Sequence, residues 1–443
     1  MLLRSTTRSI ARRALPAVAV ALLAACAGRP AEVSPAEIPE LREAVAARRG
    51  DGELVLRLAA ALYTAQRCDT AITVARTGMA LRPADALGPL VVGQCQERAE
   101  EFTAALATYD AFLSAHPEAR GISVVRARRL LAERAEATQS ARAALARETE
   151  LTQAPLDPSV VAVLPVRIVG DSLYQPLSRG LAQILTSDLA LLRRFRMVER
   201  MQLTALLDEM QFGRSERADP ATVARVGHLV QAGRLVQGLT QIPDVNNVRL
   251  EASVVLSTGE VVAPEVVTGR FRDLLRMEKE LVVAIAGQLG YQLSEAERRT
   301  ILENGTQDLA AFLSYSRGLE AEELGDFSAA AVYFGQAAQQ DPSFQAARTS
   351  YQANQAAPGA QQASAGQVTQ SAQQAEAPPP AGDEAGGAVA SVTLDLAPTQ
   401  AEQTSVTTAT SQSVTTSASA PPPPSVTPPP TVTGTIRIIF RLP

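Results

Sequence analysis

The chain has 443 residues, enough for two or three domains, and a formal net charge of -5 with only two histidines and three cysteines. That balance offers no broad basic surface, which excludes nucleic acid as a partner, and leaves little from which to build a metal centre or a nucleophile–base pair. Aromatics are 4% against 46% hydrophobic residues and Trp is absent, so the cores must be aliphatic and Ala-rich; Lys279 is the one lysine, the rest of the basic charge being Arg.

Residues 1–26 read as a targeting segment. Arg4, Arg8, Arg12 and Arg13 precede the apolar run Ala14 to Ala25. A helix of that length covers about 18 Å, too little to span a hydrocarbon core of about 30 Å. The run ends in Leu23-Ala24-Ala25-Cys26, which resembles the lipobox of bacterial lipoproteins. The resemblance implies a signal peptide cut before Cys26 and a membrane anchor through a lipid on that cysteine. Ala27, in place of Asp, implies sorting to the periplasmic face of the outer membrane. An exported chain meets an oxidising compartment, so Cys68 and Cys95 are candidates for a disulfide. Their midpoint falls beside the turn expected at Pro83, which places them opposite one another across a helical hairpin.

Residues 36–152 read as all helix, with apolar residues three and four apart and Pro and Gly as punctuation. Pro83 and Pro117 lie 34 residues apart, and Ala71/Ala105, Ala75/Tyr109 and Ala59/Gly93 fall in equivalent places. This pattern resembles the tetratricopeptide repeat, with small residues where two helices cross and a Pro closing the second. Gly121 to Thr152 reads as one long helix stopped by Pro155 and Pro158.

Residues 159–301 change to alternating strands and helices. Val160 to Val166 is an apolar run suited to a strand buried on both faces. Helices are expected at 176–192, 202–210, 220–231 and 272–289, the last ending at Gly290. Strands are expected at 196–199, 235–242, 248–256 and 261–268, with Pro264 marking an edge or a bulge. The block resembles the CsgG family of curli-secretion lipoproteins and their FlgO-like relatives. The residues that carry this are Val161-Ala162-Val163-Leu164-Pro165, Leu177-Ser178-Arg179-Gly180-Leu181, Val198-Glu199-Arg200-Met201-Gln202-Leu203, and the strand with Val236 and Gly238. It covers about a third of the chain and implies an α/β sheet-and-helix domain.

Residues 306–352 return to the repeat pattern, with Gly318, Ala330, Phe334 and Pro342 at the expected offsets. A single repeat cannot bury its own face, so it is expected to pack on the α/β domain or on another subunit. Residues 353–433 are rich in Ala, Gln, Ser, Thr and Pro and read as a disordered linker. Residues 434–443 read as a terminal β-strand, with Ile436, Ile438, Phe440 and Leu442 on one face and Arg437 and Arg441 on the other.

No catalytic, cofactor-binding or metal site is expected. His116 and His228 stand apart, and neither GxGxxG nor GxxxxGK[ST] occurs. Asp208, Glu209, Glu278 and Glu280 read as solvated faces or surface ion pairs, and Glu199-Arg200 as an ordering contact at a strand end. The expected role is a non-catalytic assembly or adaptor protein of the cell envelope, similar in fold to lipoprotein activators of peptidoglycan synthases. The other reading is a curli-type secretion component forming an oligomer at the outer membrane.

Overall fold

A computed structural model describes residues 33–210 and 220–362; Cys26 with the rest of the expected targeting segment, the remainder of the expected linker and the strand expected at 434–443 lie outside the described residues. The chain opens with antiparallel helices α1 (Ile38–Ala47), α2 (Gly52–Thr64), α3 (Cys68–Leu81), α4 (Leu87–Arg98) and α5 (Phe102–Ala115). Asp51 starts α2 by accepting from the Leu54 amide, satisfying one of the donors a helix start leaves free. The helices approach closely because the contacts are Ala59, Ala71, Ala75 and Ala105, all fully buried. At Gly93 the space is already filled: a Cβ there would lie 2.3 Å from the Tyr109 ring. Cys68 opens α3, Cys95 lies near the end of α4, and the two form a disulfide with Cα atoms 5.4 Å apart.

Next comes α6 (Ile122–Ala146), then α7 (Glu148–Gln153). The single helix expected over 121–152 is therefore broken at Arg147, whose φ of -111° and ψ of 17° leave the helical region. The bend lets Glu148 meet Arg225 at 2.8 Å and the Leu151 carbonyl accept from Gln231. At about 1.5 Å per residue α6 is about 37 Å long. It touches α5 on one side, the sheet domain on another and the last helix on a third.

The sheet contains β1 (Asp157–Val163), β2 (Arg167–Gly170), β3 (Arg196–Met197), β4 (Ala232–Asp244), β5 (Asn247–Leu256) and β6 (Glu265–Gly269). Its order is β3-β1-β4-β5-β6, with β2 also on β4. Strands β1 and β2 lie end to end along one side of β4, both parallel to it, while β5 and β6 are antiparallel. The strand expected over 160–166 thus stops at Val163, because the chain kinks through Leu164-Pro165-Val166 before re-entering the ladder. The strand expected over 261–268 is shorter too: Val261 makes only an isolated bridge to Val255, and β6 begins after Pro264, which has no N–H to give a ladder.

Between β2 and β3 lies α8 (Leu177–Ala190); α9 (Arg200–Glu209) and α10 (Pro220–Leu229) precede β4, and α11 (Leu274–Gln288) and α12 (Glu295–Glu303) follow β6. Alternation sorts the sheet's side chains. Val236, Val248, Leu250, Ala252 and Val254 join Leu181, Leu185, Leu281 and Ile285 in a core under α8 and α11. Val160, Ala162, Leu235 and Val255 face the other way, under Leu203, Leu206, Val223 and Val226 of α9 and α10.

The chain then adds α13 (Leu309–Glu323), α14 (Phe327–Gln340) and α15 (Gln345–Gln362). Gly318 lies against Phe334 as Gly93 does against Tyr109; its Cβ would be 2.5 Å from the ring. Residues 353–362, expected to belong to a linker, are helical instead, because α15 runs to Gln362. Ala353, Ala357 and Ala360 recur on one face and bury against Ala127 and Leu130 of α6. Composition alone hides this stripe, since alanine is equally common in linkers.

Candidate functional site

The face of the sheet opposite α8 and α11 is covered at one end only. Past Leu235 and Val255 no helix among the described residues lies over it, and the strands expose two cross-strand rows. One runs Arg167, Leu239, Glu251, Val266; the next runs Val169, Gln241, Arg249, Thr268. Above these rows is a groove of about 690 Å³, walled by Arg179 of α8, Thr204 and Asp208 of α9 and Glu323-Leu324 at the end of α13. The Leu164–Val166 kink sets its depth: the Leu164 amide donates to the Val236 carbonyl, and the Val166 amide leaves the sheet to donate to the Ser178 carbonyl.

The groove's rim is unusually apolar for a surface. Leu324 is 76% exposed, Val169 50%, Val266 40% and Val261 39%, half of the large hydrophobic side chains that the described residues expose. Its floor is polar. Gln237 donates to the Ser253 hydroxyl at 3.2 Å, while its own carbonyl oxygen is buried without a partner. Arg249 pairs with Glu251 at 2.5 Å. No His or Cys lines the groove, and its hydroxyls, such as Ser178 and Thr204, have no imidazole beside them. The arrangement can hold an extended or apolar segment by contact and hydrogen bonding.

One wall is fixed by charge. Arg200 of α9 reaches Glu322 at 2.7 Å and Glu323 at 2.5 Å, and Arg179 pairs with Glu320 and Glu323. Glu322 also accepts from Asn354 of α15, and its carbonyl accepts from Arg134 of α6. Burial is compensated here by paired charge, and the carboxylates hold the Arg200 guanidinium firmly protonated. The Tyr315 phenol in the same interface is pushed up to about 12 by burial.

The residues singled out in the sequence fall in different places. Glu199 caps α9 without a side-chain bond, whereas Arg200 beside it ties α9 to α13. Asp208 lines the groove and Glu209 pairs with Arg142. Glu280 is exposed and paired with Arg276. His116 ends α5 against Phe112, and His228 in α10 is half-buried with Nδ1 unpartnered; neither reaches the groove. Among the described residues no three His, Cys, Asp or Glu side chains converge as a metal site would need, and no helix is long and apolar enough to cross a membrane.

Glu278 corrects the reading of a solvated face. It is fully buried between the sheet and α8, next to Lys279, which bonds Asp188 at 2.6 Å; Asn304 donates to the other Asp188 oxygen at 2.7 Å. Burial, with the Asp188 charge beside it, pushes the Glu278 carboxyl well up, and burial raises Asp188 too against the pull of Lys279. The sequence did hold a signal: Glu278 sits four after Leu274, three before Leu281 and four before Val282, on the apolar stripe of α11. The Arg200–Glu322–Glu323 cluster had none, being assembled from residues more than a hundred positions apart.

The sequence of residues 165–248 matches the family described as curli production assembly/transport component CsgG. The chain carries a CsgG-like domain. The match begins in the kink that sets the groove and ends as β5 starts, so it includes β2, α8, β3, α9, α10 and β4. The CsgG-like stretch thus supplies Arg167, Arg179, Asp208 and Leu239 to the groove, while Glu251, Val261, Val266 and Leu324 come from outside it. A solved structure, the LpoB C-terminal domain from Salmonella enterica, aligns over 28% of this chain and 92% of that one, with 19% identity and a TM-score of 0.22. No curated protein matches the sequence.

Proposed function

We propose that this chain is a lipid-anchored periplasmic adaptor that holds envelope proteins together without catalysing a reaction. The carrying observation is the groove on the half-covered face of the CsgG-like domain, with an apolar rim and a lining of hydroxyls and carboxylates that includes neither His nor Cys. Two features support the reading. The helical pairs on both sides follow the tetratricopeptide-like spacing, which builds docking surfaces for other proteins. The resemblance of Leu23-Ala24-Ala25-Cys26 to a lipobox supports a lipid anchor on Cys26, and Ala27 supports the periplasmic face of the outer membrane as its location.

The test is photo-crosslinking in intact envelopes, comparing the native chain with Val169→Glu/Leu324→Arg in the groove and with Val332→Arg on the remote face of α14. The groove variant should lose its main crosslinked partner while the Val332 variant keeps it. Equal capture by all three would sink the reading. Cys26→Ser should release the chain from membranes. The description of the matched family favours a second reading, an oligomeric secretion component. A closed ring in solution mass measurements of the lipidated protein would establish it in place of the adaptor.

A further inference from the structure

We infer that the groove binds an extended segment of a partner protein in which an acidic side chain and an apolar one stand two residues apart, the acid meeting Arg167 and the apolar side chain meeting Val169. This names the partner's chemistry for the docking surface proposed above and rests on that reading.

The charges of the lining fix the sign. Glu323 is held between Arg179 and Arg200, Glu251 pairs with Arg249, and Asp208 is engaged within the chain. Arg179 is answered in turn by Glu320. Arg167 differs: it is exposed, it lines the groove, and among the described residues no carboxylate pairs with it. Its guanidinium keeps the planar fork of donors that fits a carboxylate. An unpaired arginine on an open surface is ordinarily just solvated, and the setting is what sets this one apart.

Arg167 stands in register with Leu239 across the β2–β4 ladder, and Val169 follows two residues on along the same face. Val261 and Leu324 add to the lining, so a cation open to a carboxylate has exposed apolar side chains for neighbours. Side chains i and i+2 of an extended chain lie about 6.6 Å apart, at about 3.3 Å per residue. Arg167 and Val169 share that spacing as members of one strand, so an extended occupant laid along β2 meets both with residues two apart. A carboxylate partly withdrawn from water among these side chains gains more from Arg167 than it would in open solvent.

The floor asks for a peptide rather than a hydrocarbon chain. Gln237 and Leu239 share a face of β4, and Gln237 donates to the Ser253 hydroxyl while its own carbonyl oxygen is buried without a hydrogen-bond partner. Buried polar atoms ordinarily have one. A backbone N–H of the occupant supplies it once the Gln237 side chain turns into the groove that it lines. Backbone bonds then hold the segment, and its alternate side chains select it.

Fluorescence anisotropy on the purified full chain tests this with a capped, dye-labelled peptide Val-Thr-Glu-Thr-Val and with twins carrying Gln or Lys in place of Glu. The native chain should bind the Glu peptide at least about tenfold more tightly than the Gln peptide, and the gap should narrow as salt is added. Arg167→Glu should reverse the order and prefer the Lys peptide, which also shows that the variant is folded. Arg298→Glu, on the exposed side of α12, should leave the native order unchanged. No binding, equal affinities of the three peptides for the native chain, or an unchanged order in Arg167→Glu overturns the proposal. So does self-association of the native chain that Arg167→Glu abolishes, which would assign the groove to a second copy. Envelope crosslinking separates the two readings: a partner lost in Val169→Glu/Leu324→Arg but kept in Arg167→Glu leaves the adaptor standing and defeats the acidic partner. If the peptide order holds and neither variant loses a partner, the adaptor reading fails and the acid-binding site stands.

Discussion

The helical hairpins on either side of the CsgG-like domain are built around the same joint and fastened by different means. In α4–α5, Gly93 receives Tyr109; in α13–α14, Gly318 receives Phe334 sixteen residues later, the same interval. In the first hairpin the ring carries a hydroxyl, which donates to Glu97 at 2.5 Å, and Arg128 of α6 completes the group. Burial raises the Tyr109 phenol and the Glu97 carboxyl, so this tie is polar yet largely withdrawn from water. In the second the ring is a plain Phe, 5.3 Å from Tyr315, which in turn lies 4.8 Å from Phe344. The first hairpin is locked to its neighbour by a covalent bridge. The second is locked to the sheet domain by Arg200, Glu322 and Glu323, and the last of these is a groove wall. The groove's shape therefore depends on the ionic fastening, and the amino-terminal arm can loosen without disturbing it.

The strongest way to break that contrast is Arg200→Met. It leaves Glu322 without its cation and Glu323 with Arg179 alone, and an uncompensated buried carboxylate costs about 3–5 kcal/mol. Thermal unfolding should show the loss, and exchange should rise first in α13. A cost below about 1 kcal/mol, the range of surface pairs, would mean that the cluster does not hold the joint. Reducing the Cys68–Cys95 bridge comes next. For residues 27 apart in sequence the chain-entropy model gives about 3.5 kcal/mol. The loss should appear as faster exchange in α2–α4, with α13 and α14 unchanged; equal loosening of both regions would erase the distinction.

Gly93→Ala and Gly318→Ala probe what the hairpins share. Each puts a methyl group into an aromatic ring, and each should destabilise its own hairpin by about 1–3 kcal/mol, read by urea unfolding. Opposite signs at the two sites would show that the joints are not equivalent. The smallest effect concerns pH. The Glu278 carboxyl is raised in the fold, so the folded chain keeps a proton that the unfolded chain loses as pH climbs past the ordinary carboxylate range. Its contribution is complete below that range and fades as pH rises through the raised value. Glu278→Gln should remove the fade, so the variant should gain on the native chain from the carboxylate range toward neutrality. A constant difference over that span would show that Glu278 is already charged in the fold.

What the sequence made legible was local. Pro83, Pro117 and Pro342 with the small residues before them mark the hairpins, and the alternation of Val248 to Val254 marks β5 with its inward face. What stayed hidden depends on distant partners. Nothing near Gly180 says that Ser316 and Phe312 will press against it, yet that contact seats α13 on α8. The kink at Leu164–Val166 lay inside an apolar run that read as one strand. It is required because β4 is long enough to pair with two strands in succession. The groove followed from neither pattern, since it is the part of the sheet that no helix among the described residues covers.

The buried cluster of Asp188, Glu278 and Lys279 has a consequence for handling the protein. Lys279 is the sole lysine of the sequence and is 5% exposed, so the folded chain shows almost no side-chain amine to reagents in solution. Amine-reactive crosslinkers and dyes will pass over its surface whatever is docked there. They will label Lys279 only when α8 and α11 separate, so the rate of that labelling is a clock, already written into the chain, for how often the centre of the molecule opens.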